Sequence, residues 1–123
     1  MSQPDPRIRS RVVAPRFGGR LASDFAICYR GMAQATVCAD VTRLELGCSD
    51  QGAIIAARHL TYGCPPAIAA AEWLCQRLEG ETLAVARNLS VADVTAGLGL
   101  VGVQEHAAQT VIAALASALP PSI

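Results

Sequence analysis

Apolar and polar positions alternate from Val41 to Cys48, with Leu44, Leu46 and Cys48 on one face and Val41, Arg43 and Glu45 on the other, apart from a small irregularity near Val41. A period of two over this length predicts a half-buried strand. Ser49-Asp50-Gln51-Gly52 carries turn chemistry, and Ala53 to Tyr62, rich in Ile, Thr and Tyr, reads as the antiparallel partner of a hairpin. On that second strand His59 alternates outward with Ala57 and Thr61, so it is expected on a surface or sheet face. After Gly63-Cys64-Pro65-Pro66 the period changes: Ile68, Ala71, Cys75 and Leu78 share one helical stripe, and Glu72, Gln76 and Glu79 take the other side. Proline in the first turn and Gly80 at the end frame this helix. A further helix is predicted to start near Ser90-Val91-Ala92-Asp93, and the last runs from about Glu105 to Leu119, stopped by Pro120-Pro121. Upstream, Arg7 to Gly19 reads as a short helix or arm ended by a turn, with residues 1–9 as a flexible arm. Residues 20–37 read as irregular chain with strand pieces. Strands first and helices afterwards predict an α+β fold, an antiparallel sheet of about three strands with helices packed on one face.

At 123 residues the chain has room for one domain, taken as 1–123. It is 52% hydrophobic but only 4% aromatic, so the core has to be built from Ala, Val, Leu and Ile. Ten arginines, with no lysine, balance ten acids, which removes the overall basic excess of a free-standing nucleic-acid binder. The balance hides an asymmetry: residues 1–43 hold seven Arg and three acids, residues 44–123 three Arg and seven acids. The least charged stretch, Val94 to Val103, falls short of the ~20 apolar residues of a membrane span. No secretory signal follows the N-terminal charges, and a cytoplasmic protein without a membrane partner is expected.

Five cysteines, Cys28, Cys38, Cys48, Cys64 and Cys75, form no Cys-x-x-Cys and fit neither a disulfide framework nor a zinc ribbon. Cys38 and Asp40 are two residues apart in extended chain, which aims a thiol and a carboxylate from one face. Cys64 lies between a glycine and a helix N-terminus, whose amides and dipole stabilise a thiolate. Cys75 shares the apolar stripe of its helix and is expected to pack. His106 falls in the first turn of the last helix, where the dipole favours the neutral ring that ligates metals. Cys28 and Cys48 are spare thiols. No nucleophile and base pair, phosphate loop or cofactor motif is visible, so an independent enzyme is not expected.

These residues carry a resemblance to the NifU N-terminal or IscU-type family of iron-sulfur cluster assembly scaffolds, over roughly residues 10 to 118. Pro15-Arg16-Phe17-Gly18-Gly19-Arg20-Leu21 is similar to that family's Asn-Pro-Arg-Asn-x-Gly-x-Leu, with Ala14 in place of the first Asn. Cys38-Ala39-Asp40 resembles its Cys-Gly-Asp ligand motif, and Thr61-Tyr62-Gly63-Cys64-Pro65-Pro66-Ala67-Ile68-Ala69 resembles Thr-Phe-Gly-Cys-Gly-Ser-Ala-Ile-Ala. Glu72-Trp73 and Gly80-Glu81-Thr82-Leu83 continue the likeness. The family's His-Cys pair reads here as His106-Ala107, and its Leu-Pro-Pro-Val-Lys chaperone segment is replaced by Gly99-Leu100-Val101-Gly102-Val103-Gln104.

The resemblance implies a scaffold that takes sulfur from a cysteine desulfurase, assembles iron or a 2Fe-2S cluster and passes it to recipient apoproteins. The implied ligand set is Cys38, Asp40, Cys64 and His106, with Cys28 or Cys48 as a stand-in for Ala107 if either comes within reach. Thiolates suit iron-sulfur clusters and zinc alike. The alternatives are a Zn(II)-binding sulfurtransfer or regulatory partner of the desulfurase, using the same four residues, and a metal-free adaptor. A site short of one cysteine also raises the conjecture of a homodimer bridged by the cluster.

Overall fold

The computed structural model describes residues 5–22, 24–36 and 39–121. Three antiparallel strands, β1 (Ile27–Gln34), β2 (Val41–Cys48) and β3 (Ile54–Tyr62), lie in the order β1-β2-β3. Five helices accompany them: α1 (Pro6–Val13), α2 (Pro65–Leu78), α3 (Leu83–Arg87), α4 (Val91–Leu98) and α5 (Glu105–Ala118). α5 packs on β1 and β2, α2 packs on β3, and α1 lies against α2. The α+β architecture is the one the patterning predicts.

Alanine sets how close the layers come. Ala67, Ala69, Ala70 and Ala71 of α2 and Ala107, Ala108, Ala114 and Ala118 of α5 are all buried, which lets both helices press onto the sheet without aromatic bulk. At Gly31 the approach reaches backbone: a Cβ there would stand 2.3 Å from the Ala118 amide nitrogen. α4 begins at a capping box between Ser90 and Asp93, as its sequence suggests.

Three expectations change. Residues 6–9 are not a flexible arm, because α1 starts at Pro6 under an Asp5 cap and buries Ile8 in the core. The stretch 20–37 contains a full edge strand, β1, whose alternation is only between exposed and half-buried positions and is interrupted by Gly31. His59 is not a surface residue but is buried at 4% exposure. The cause is a register shift between Gly47 and Cys48. One extra residue turns Ala57, His59 and Thr61 inward, where a phase counted from Ile54 turns them outward.

On the outer face of the sheet, residues 19–22 lie on the β3 side and reach β2, and residues 24 and 25 lie nearer β1. Gly18 bridges to His59, the Leu21 amide donates to Glu45 Oε1 at 3.0 Å, and Phe25 covers Gly47.

Candidate metal centre

The last rung of the β2/β3 ladder pairs Val41 with Tyr62. One residue beyond it, Asp40 ends the approach to β2 and Gly63 and Cys64 leave β3 for α2. Asp40 is 3% exposed. It fits there only because Gly63 has no side chain, since a Cβ on Gly63 would stand 2.2 Å from Asp40 Oδ1. Cys64 is the N-cap of α2, with extended backbone at φ −72° and ψ 163°. Its amide donates to Asp40 Oδ1 at 3.1 Å and its thiol to Asp40 Oδ2 at 3.4 Å. The two prolines that follow suit the first turn, where their missing amides cost no intrahelical bond.

His106 comes from the far side, in the first turn of α5. Its Nε2 lies 3.2 Å from Asp40 Oδ2, and its Nδ1 contacts the Val103 carbonyl. That carbonyl can only accept, so Nδ1–H donates to it and Nε2 is the nitrogen presented to the site, as a second contact fixes the tautomer of metal-bound histidines. Ligand atoms of Asp40, Cys64 and His106 all lie within 4.8 Å of one another, a group able to hold a metal ion. Exposed apolar residues flank the site along the chain: Tyr62, two residues before Cys64, and Val101 and Val103, shortly before His106, are 78%, 68% and 82% exposed.

Of the four residues in the expected ligand set, three converge. The fourth, Cys38, lies outside the described residues, as does Val37 beside it. Ala107 is fully buried next to His106. Neither spare thiol is in reach. Cys48 ends β2 and Cys28 pairs with Gly47, at the opposite end of a strand whose eight residues span more than about 20 Å. Burial pushes the Cys48 thiol above its ordinary range, with a smaller push from neighbouring Cys28. Cys75 is pushed further up, chiefly by burial and then by the charges of Glu72 and Glu79, and it packs in the core as expected.

The patterning missed a second polar cluster. Glu72, assigned to the outer side of α2, is 3% exposed because α1 and the chain after it lie over that side. Its carboxylate accepts from the amides of Arg16 and Phe17 and contacts His59 Nε2 at 2.7 Å. Spacing along α2 carries no sign of this; only the inward phase of His59, once the bulge is known, points to it.

The NifU-like N-terminal domain model matches residues 6–120. The chain belongs to that family. As a NifU-like domain it is 34% identical over 92 residues, 75% of this chain and 72% of the relative, to the iron-sulfur cluster assembly scaffold protein IscU of Azotobacter vinelandii. It is 36% identical over 76 residues to the protein of the same name from Escherichia coli, 62% of this chain and 59% of that one. Among solved structures, the putative iron-sulfur cluster assembly scaffold protein for the SUF system from Fervidobacterium islandicum superposes with a TM-score of 0.69 at 14% identity. It covers 94% of this chain and 95% of that one, a likeness of fold. Among the described residues, no helix of this NifU-like chain is long and apolar enough to cross a membrane.

Proposed function

We propose that this chain is an iron-sulfur cluster assembly scaffold or carrier whose cargo, iron or a 2Fe-2S cluster, is bound by Asp40, Cys64 and His106 with Cys38 as the fourth ligand. The convergence of a thiol, a carboxylate and an imidazole within 4.8 Å, in a NifU-like chain with relatives named as such scaffolds, carries the reading. The donor set suits the cargo. Thiolate is the ligand that iron-sulfur clusters select, and each ligand gives up or turns away a proton as metal enters, so loading is proton-coupled. Asp40 Oδ2 faces both the thiol of Cys64 and Nε2 of His106, so the cargo would take the place of the thiol proton among these groups. A hard carboxylate among the ligands keeps the cargo labile, as a donor requires.

A cysteine desulfurase supplies the sulfur in this reading, and recipient apoproteins take the cluster. The exposed apolar residues that flank the site, Tyr62, Val101 and Val103, suit the transient docking of such proteins there. The chain acts as a carrier rather than as an independent enzyme.

The test is iron and acid-labile sulfide analysis with visible absorption, on protein purified without air and then reconstituted with ferrous iron and sulfide. Near two irons and two sulfides per chain or per dimer is expected, with all colour lost in Cys64→Ala. Zinc that resists exchange, or no metal in either preparation, would overturn the reading.

A further inference from the structure

The buried pair His59 and Glu72 lies outside the candidate site and has no part in the cargo chemistry above. Glu72 receives three donors: the amides of Arg16 and Phe17 and, at 2.7 Å, His59 Nε2. The other ring nitrogen, Nδ1, is hydrogen-bonded to the Thr61 hydroxyl at 2.8 Å, and Thr61 Oγ1 lies 3.3 Å from Thr42 Oγ1. Glu72, His59, Thr61 and Thr42 therefore form one continuous hydrogen-bond chain through the core.

The position of its end gives it meaning. Thr42 pairs with Thr61 across β2 and β3, Val41 pairs with Tyr62, and the chain then passes directly to Asp40 on one strand and Gly63 on the other. Positions two apart on a strand share a face, so the Thr42–Thr61 rung lies immediately beneath Asp40 on its own side of the sheet. At its other end, the chain secures the segment that extends the sheet beside β3. There the His59 amide donates to the Phe17 carbonyl and the Gly19 amide to the His59 carbonyl, each at 2.9 Å. Stability alone does not call for such an arrangement, since well-packed apolar side chains in place of a buried polar network are often neutral or stabilising.

We propose that His59 and Glu72 are positioning residues: through Thr61 and Thr42 they fix the two strand ends that deliver Asp40 and Cys64, and they link those ends to the segment at Arg16 and Phe17. The role as positioning for cargo rests on the function proposed above; the mechanical coupling does not.

Amide hydrogen exchange on the metal-free full chain tests it, with Thr61→Val and Glu72→Gln. Thr61→Val removes one hydroxyl and leaves Glu72 its three donors, so it remains informative if Glu72→Gln fails to fold. Relative to Val111 in the centre of α5, the Cys64 amide is expected to exchange about fivefold to tenfold faster in both variants, the scale of one lost hydrogen bond. The Phe17 amide is expected to quicken in Glu72→Gln alone. In a second arm, cobalt(II) titration should show the thiolate-to-cobalt absorption of Cys64 weakened and shifted in both variants. A Cys64 amide that moves no more than Val111 in Thr61→Val would overturn the proposal. A wild-type chain that takes no cobalt would instead overturn the metal-centre reading, while the exchange data still decide the coupling.

Discussion

Two histidine and carboxylate pairs sit in this molecule and differ in almost everything else. His59 and Glu72 are 4% and 3% exposed, 2.7 Å apart, and every polar atom of the pair has a partner inside the protein. His106 and Asp40 are 3.2 Å apart, with side chains 14% and 5% exposed, at the open end of the sheet and beside a thiol. The contrast sets a structural use of one residue pair against the chemical use proposed for the other. Where each donor and acceptor is satisfied by backbone and hydroxyls, the pair organises the fold. Where a carboxylate, a ring nitrogen and a thiol crowd one another at the open end of the sheet, the proposed use is to hold a metal ion in place of protons.

The sharpest way to break this comparison is to damage each pair and ask what is lost. Glu72→Ala leaves His59 and two amides without their acceptor, and a loss of about 3–5 kcal/mol is expected, typical of removing one partner of a buried pair. For a domain of this size that is a fall in Tm of roughly 10 °C or more by thermal unfolding. Cys64→Ala should lower Tm little while removing all bound iron. If Cys64→Ala proved the more destabilising of the two, the division between the clusters would be wrong.

Gly63→Ala comes next. Its methyl would meet Asp40 Oδ1, so it should cost about 1–3 kcal/mol, as overpacking does, and weaken metal binding together with stability. Loss of stability with unchanged metal binding would show that the Asp40 carboxylate is not held in place for a ligand's role.

The smallest effect belongs to the N-terminal cap. The Arg7 guanidinium and amide hold Asp5 at a pKa of about 2, below its usual 3.8. A carboxylate whose folded value is depressed contributes stability above the ordinary value and loses it as pH falls towards the folded one. Asp5→Asn keeps the cap but not the charge, so it should be slightly less stable than wild type at neutral pH, and the two should converge as pH falls from about 4 to 2, where wild type loses this contribution. A difference as large at pH 2 as at pH 7 would contradict the assignment.

The candidate site was more legible in the sequence than the buried polar cluster of His59 and Glu72. Cys64 announces itself by Gly63 before it and two prolines after it, and His106 by its place in the first turn of α5, both local signals. The hairpin and α2 follow from period alone. What escaped depends on contacts between distant segments: the bulge at Gly47 and Cys48 inverts the phase of β3, and the turn after α1 covers the flank of α2 that carries Glu72. The reach of Cys28 and Cys48 was equally hidden, because it depends on which end of the sheet each thiol occupies rather than on spacing to the motif.

The central claim is that His106, and not His59, is a ligand of the cargo. Pulsed electron paramagnetic resonance on the reduced, reconstituted protein with nitrogen-15 histidine reads this directly. The expected result is one strongly coupled nitrogen, lost in His106→Gln and kept in His59→Phe. A coupling that survives His106→Gln, or that disappears with His59→Phe alone, would contradict it.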